Sequence, residues 1–186
     1  LGDQLLASLV ERDNQLVSVL AGLAPDNLET PCYHPGGIVP AGNFIDLRLK
    51  DLALHEWDIR SPLHPEAGLS RECLPSIMIL LANSLASGSL PWAFWQAPSL
   101  SDPVRSRFDV TLPLPMRIVI AVLGDKVRLE DAEEGNADVT FRCDTETFLM
   151  LTKGSISQAL AITTGRLEVE GDSEVAAGFG QWFKGI

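Results

Sequence analysis

The chain is short of cations, of cysteine and of long apolar runs, and each shortage excludes a class of function. Fourteen lysines and arginines stand against 25 aspartates and glutamates, a formal charge of −11, and no basic cluster interrupts the acidity. A phosphate backbone would be repelled, so nucleic acid is excluded as a partner. The three cysteines, Cys32, Cys73 and Cys143, are far apart and odd in number. They build no disulfide framework and lead us to expect a reducing, cytoplasmic location. The apolar run "IMILLA" at 77–82 falls far short of the roughly 20 residues that span a bilayer. The opening "LGDQLLASLVERD" has neither the basic region nor the cleavage site of a signal peptide, so no membrane insertion is expected.

What is present is enough apolar residue to close a core. The 186 residues are 46% hydrophobic, which needs no help from disulfides. Leu5, Leu6, Leu9, Leu16, Val17 and Leu20 recur at helical spacing over 3–24, and Pro25 stops the pattern. Four prolines and three glycines crowd residues 24–43, which predicts an ordered irregular loop. A second helix spans 43–60 ahead of Pro62, and a third runs from Ser70 to Gly88 with Pro75 in its first turn. The pattern switches to alternation near Phe108, so the chain divides into a helical domain, 1–105, and a second domain, 106–186. There the strands "RFDVTL", "RIVIAV" and "KVRLED", with an "LGD" turn, lead to "ADVTFRC", two short helices, the strand "GRLEVEG" and a last helix from Ser173. Strands, helices, strand, helix is the order of an α+β module with helices on one face of its sheet.

The second helix carries the candidate chemistry. Arg48, Asp51, His55 and Asp58 share one face, while Ile45, Leu47, Leu49, Leu52, Ala53, Leu54, Trp57 and Ile59 cover the rest. A helix apolar almost all round belongs inside a bundle, where charge must be paired or must hold a metal. Two readings stay open. In one the stripe satisfies itself, Arg48 pairing with Asp51 and Asp58 orienting His55. In the other Asp51 and His55, four residues apart, are metal ligands.

The run "RLKDLALHEWDIR" resembles a helix in the N-terminal domain of mycothiol-dependent maleylpyruvate isomerases. In that family a carboxylate and a histidine four apart bind a divalent metal, and an aspartate follows three residues after the histidine. Asp51, His55 and Asp58 take those places, Asp51 standing where the isomerase has glutamate. The resemblance implies a DinB-like four-helix bundle, of which residues 1–105 are part. It also implies a third ligand, a histidine on an earlier helix. The chain opens on Leu within a helical pattern, so that helix is expected upstream of it. The stretch 137–183, with "GRLEVEGD" leading into the last helix, is similar to the sterol carrier protein type-2-like fold, which also closes the isomerase family's chains. Together these imply a two-domain α+β protein in which a divalent metal, zinc by its ligand types, activates a small thiol such as mycothiol against a small electrophilic substrate. Asp58 would orient His55, and Arg60 would bind a substrate carboxylate or else cap a solvated helix end.

The other motifs weigh less. His34, His64 and Asp58 are the substitutes for a third ligand inside this chain. Cys32 and His34, two apart in "PCYHPGG", read as loop packing rather than nucleophile and base. Trp92, Phe94 and Trp95 are expected to fill a groove between domains, and Trp182 and Phe183 to close the second core or line a lipid tunnel. The alternative function is a binding module holding an apolar, lipid-like ligand in the C-terminal domain, and a third is a degenerate relative that mediates assembly. The sequence leaves self-pairing into a homodimer open.

Overall fold

A computed structural model of the chain describes residues 2–34, 37–64, 66–86, 103–123, 126–131 and 137–182. Gly88, Trp92, Phe94, Trp95, Phe183 and the Gly124–Asp125 part of the expected "LGD" turn lie outside the described residues, as does the side chain of Trp182. The chain divides into two compact units, Leu1–Leu52 and Ala53–Ile186, the division falling inside one helix.

The first unit begins with α1 (Gly2–Ala21), which ends ahead of the Pro25 stop in a turn of 3-10 helix at Pro25–Asn27. The irregular loop expected next is corrected in part, because Pro31–His34 (β1) and Gly37–Pro40 (β2) pair as an antiparallel hairpin. Proline is tolerated there because both strands of a two-stranded ribbon are edges, and Pro31 lies opposite Pro40 at the open end. Then comes α2 (Asn43–Arg60), with the boundaries its pattern predicts. Its surroundings differ from the expectation. Among the described residues only Ala53 of α2 is buried, and Ile45, Leu52 and Ile59 are 46%, 45% and 74% exposed. A helix apolar almost all round is buried only where other helices cover it. Of the helices described, α1 and the start of α2 are the long ones in this unit, and they do not close a four-helix bundle.

The second unit has a closed core. A 3-10 turn at Arg71–Cys73 leads into α3 (Leu74–Ala86), with Pro75 in the first turn, where no amide is missed. Five strands follow: β3 (Val104–Val110), β4 (Met116–Leu123), β5 (Lys126–Asp131), β6 (Val139–Cys143) and β7 (Leu167–Gly171). They order as β5-β4-β3-β6-β7, all neighbours antiparallel except β3 and β6. Between β6 and β7 lie α4 (Thr145–Thr152) and α5 (Gln158–Thr163), and α6 (Ser173–Trp182) follows.

Register explains the core. Phe108 sits opposite Phe141, so both rings leave the same face of the sheet, and their centroids are 4.9 Å apart. Phe148 of α4 and Phe179 of α6 meet that pair at 5.0–5.2 Å, and all four are at most 2% exposed. Each such ring contributes about 1.5–3 kcal/mol by burial, and edge-on geometry adds to it. The opposite face is charged. Arg107, Arg117 and Arg142 surround Asp109 at 3.2, 3.0 and 3.8 Å, while Arg105 and Arg128 reach Glu130 at 2.9 and 2.6 Å. Val119 and Ala121, in register with these arginines, are nevertheless buried, since long guanidinium stems cover apolar surface.

Candidate functional site

Two places could carry function. The first is the stripe on α2. His55 Nδ1 and Asp58 Oδ2 lie 3.3 Å apart. Arg48 does not pair with Asp51; its Nη2 donates to Asp13 of α1 at 2.9 Å, and Asp51 sits 3.2 Å from Lys50. The dry surroundings expected for the stripe are absent among the described residues, because the side chains of His55, Asp58 and Asp51 are 77%, 53% and 49% exposed.

Arg60 is engaged locally. Its Nε and Nη2 donate to both oxygens of Glu56, the Nη2 bond being 3.0 Å, and Nη2 also donates to the carbonyl of Gly68 at 2.8 Å. The guanidinium holds the Glu56 carboxyl below its ordinary range. His64 is 60% exposed with Glu66 at 3.7 Å, and the His34 ring packs edge-on to Phe44 at 6.0 Å. Among the described residues no group of three or more His, Cys, Asp or Glu side chains could hold a metal ion. Asp51 and His55 by themselves offer two donors, short of the three that a catalytic zinc keeps.

The second place is a groove in the C-terminal unit. Its walls are built by local signals that lie close together in sequence. Asp144 caps α4, accepting from the Thr147 amide at 2.6 Å, and Gly154 at φ 69° ends it. Ser157 caps α5, accepting from the Leu160 amide at 3.1 Å. Asp172 caps α6 through the amides of Glu174 and Val175 at 2.8 and 3.1 Å. Gly171, at φ 114°, brings the chain so close to Asp138 that a Cβ would stand 2.7 Å from its carbonyl oxygen. These stops aim α5 and the small-residue side of α6 at each other.

Between them opens a cavity of about 560 Å³, lined by Leu151, Gly154, Ile156, Ser157, Gln158, Ala159, Ile162, Ala177, Phe179 and Gly180. No charged side chain is among them. Phe179, part of its lining, is the same ring that packs on Phe108 and Phe141, so this wall is the core itself. Gly180 keeps one wall low, for a Cβ there would rest at an ordinary 3.5 Å from Gln158 Oε1. Sequence reasoning named only Trp182 and Phe183 for such a role and missed the rest. The available signal was the small-residue run "AAGFG" on a terminal helix, a composition suited to leaving space.

The described helices include none long and apolar enough to cross a membrane. Residues 97–184 match the family model described as the SCP-2 sterol transfer family, so an SCP2-type domain occupies the C-terminal part of the chain. No curated protein matches the sequence. Solved structures similar to it include the inverting sec-alkylsulfatase Pisa1 from Pseudomonas sp., at 15% identity over 50% of this chain and 15% of that one, with TM-score 0.43. Sterol Carrier Protein 2 from Yarrowia lipolytica in its apo form is similar at 20% identity over 41% of this chain and 63% of that one, TM-score 0.33. Palmitated SCP2L2 from Aedes aegypti is similar at 13% identity over 56% and 88%, TM-score 0.36. The chain thus spans less than two thirds of the length of the first two.

Proposed function

We propose that the SCP2-type domain binds an apolar, lipid-like molecule in the groove between the end of α4, α5 and α6. One observation carries the reading: a cavity of about 560 Å³, walled by aliphatic side chains and Phe179, has no charged group in its lining. Its size falls in the roughly 300–1,000 Å³ range of small-molecule sites. An apolar chain entering it leaves water without stripping any ion of its hydration, and transfer is favourable by about 25 cal/mol per Å² of apolar surface covered. Ser157 and Gln158 add two uncharged polar side chains to the lining, suited to a hydroxyl or carbonyl on the ligand. The name of the matching family, sterol transfer, supports this class of ligand.

The test is a fluorescence titration of the delipidated full chain with dehydroergosterol and with cis-parinaric acid. Saturable binding of at least one is expected, weakened roughly tenfold or more by Gly180→Leu, which fills the groove with about one large side chain. Thermal stability should hold, since Gly180 is exposed. Absence of binding by either probe would defeat the reading.

A second reading, a metal-dependent, thiol-using isomerase or transferase of the maleylpyruvate isomerase family, has the His55–Asp58 contact in its favour. It requires a third donor beyond Asp51 and His55. Zinc titration by calorimetry of a chain that includes any residues preceding Leu1 is its measurement: binding that is lost in His55→Ala supports it, and no binding removes it.

A further inference from the structure

We propose that the groove selects an uncharged lipid ending in a hydroxyl or a carbonyl over a fatty-acid anion, and that Gln158 sets this choice. The inference rests on the reading of the groove as a lipid site and adds which class of lipid enters it. The starting observation is what the lining lacks. Among the described residues it holds no Lys, Arg or His to meet a carboxylate, and no Asp or Glu to take a cation. The cations near it in sequence lie elsewhere. Lys153 precedes the lining residue Gly154 and is not itself part of the wall, and Arg166 is engaged by Thr147 at 3.1 Å and Glu146 at 3.3 Å. A carboxylate drawn into such a place loses hydration and finds no counter-ion, which is costly. The chain's formal charge of −11 repels the same anion as it approaches. A neutral end group avoids both costs.

The two polar side chains of the lining, Ser157 and Gln158, are not equivalent. Ser157 is the cap of α5, its Oγ fixed by accepting the Leu160 amide at 3.1 Å. Gln158 is the first residue of α5 and half-buried. Its Oε1 lies 3.5 Å from where a Cβ on Gly180 of α6 would stand, so the carboxamide reaches from one wall of the groove to the other. A carboxamide both donates and accepts. The same group can therefore serve a hydroxyl, which does both, and an ester or ketone carbonyl, which only accepts. Being neutral, it offers a carboxylate amide hydrogens and nothing to balance the charge.

Fluorescence titration of the delipidated full chain at about pH 8, where a free carboxyl is ionised, tests this with three probes that share one polyene chain: cis-parinaric acid, its methyl ester and the corresponding alcohol. The ester and the alcohol are expected to bind roughly tenfold or more tightly than the acid. Gln158→Lys should bring the acid to the affinity of the ester or beyond, a gain that loss of packing could not produce. Gln158→Leu, similar in volume, should weaken the alcohol about fivefold, the net effect of one hydrogen bond. A plain hydrocarbon, 1-octadecene, read by displacement of the ester, should bind that variant as it binds the wild type. Lysine and leucine are both good helix formers, so thermal melting should be unchanged. If acid and ester bind the wild type equally, the polar end stays in water, and the inference is overturned while the lipid site stands. Failure of Gln158→Lys to recruit the acid overturns the role of Gln158. Binding of none of the three probes removes the lipid site itself, and this inference with it.

Discussion

Helix α1 has 20 residues and buries none, while α4 has eight and buries seven. Both carry several large apolar residues. The difference lies in what each meets: α4 is set by Asp144 over a sheet that already offers Phe108 and Phe141, whereas α1 is tied to the start of α2 through Asp13 and Arg48. Apolar content creates the opportunity for burial, and a partner surface decides whether it happens.

The comparison is sharpened most by the core. Phe108→Ala should cost about 3–5 kcal/mol, because the ring touches three others and leaves a cavity, while Leu9→Ala on α1 should cost the isolated protomer less than about 0.5 kcal/mol. Urea denaturation measures both, and equal losses would break the contrast. Next in size, Gly171→Ala should cost about 1–3 kcal/mol, since φ is 114° and the added Cβ meets the Asp138 carbonyl. Thermal melting checks it.

Thiol labelling distinguishes the units through their cysteines. Burial pushes the Cys143 thiol up to about 12, so it stays protonated, and Cys73 is buried too, whereas Cys32 in the hairpin is partly accessible. Native protein should lose one thiol quickly and two only on unfolding. The raised value also has a sign: an unfolded thiol ionises near 9, the folded one does not, so stability attached to Cys143 is present below pH 9 and declines as pH rises from there towards about 12. Cys143→Ala should flatten that alkaline decline.

The smallest effect belongs to the charged sheet face. Arg105, hydrogen-bonded at 2.9 Å, holds the Glu130 carboxyl below its ordinary 4.5. A depressed carboxylate stabilises above that value and loses its contribution as pH falls through the lowered one. Glu130→Gln should therefore remove well under about 1 kcal/mol at neutral pH and lessen the acid sensitivity of the melting temperature below about pH 4.5.

Much of the second unit was legible because its signals are local. Alternation in "KVRLED" and the boundaries of α2 each depend on a few neighbouring residues, and the structure has them where the pattern puts them. The hairpin at Pro31–Pro40 was not legible, since proline and glycine mark a turn without saying that two edges will pair across it. On α2 the spacing of His55 and Asp58 foretold their contact, but the partners of Arg48 and Asp51 depended on Asp13, far away in sequence, and on Lys50. The groove residues come from three helices and a turn, and no window of sequence contains them together.

Outside the Pro31–Pro40 hairpin, the amino-acid order by itself determined where most helices and strands begin and end, because capping, φ preference and periodicity act within a few residues. Tertiary structure alone decided which apolar surfaces found cover, which arginines met which carboxylates and where a cavity was left beside Phe179. Those outcomes depend on distances between residues remote in the chain, and burial energy is assigned only when such residues meet.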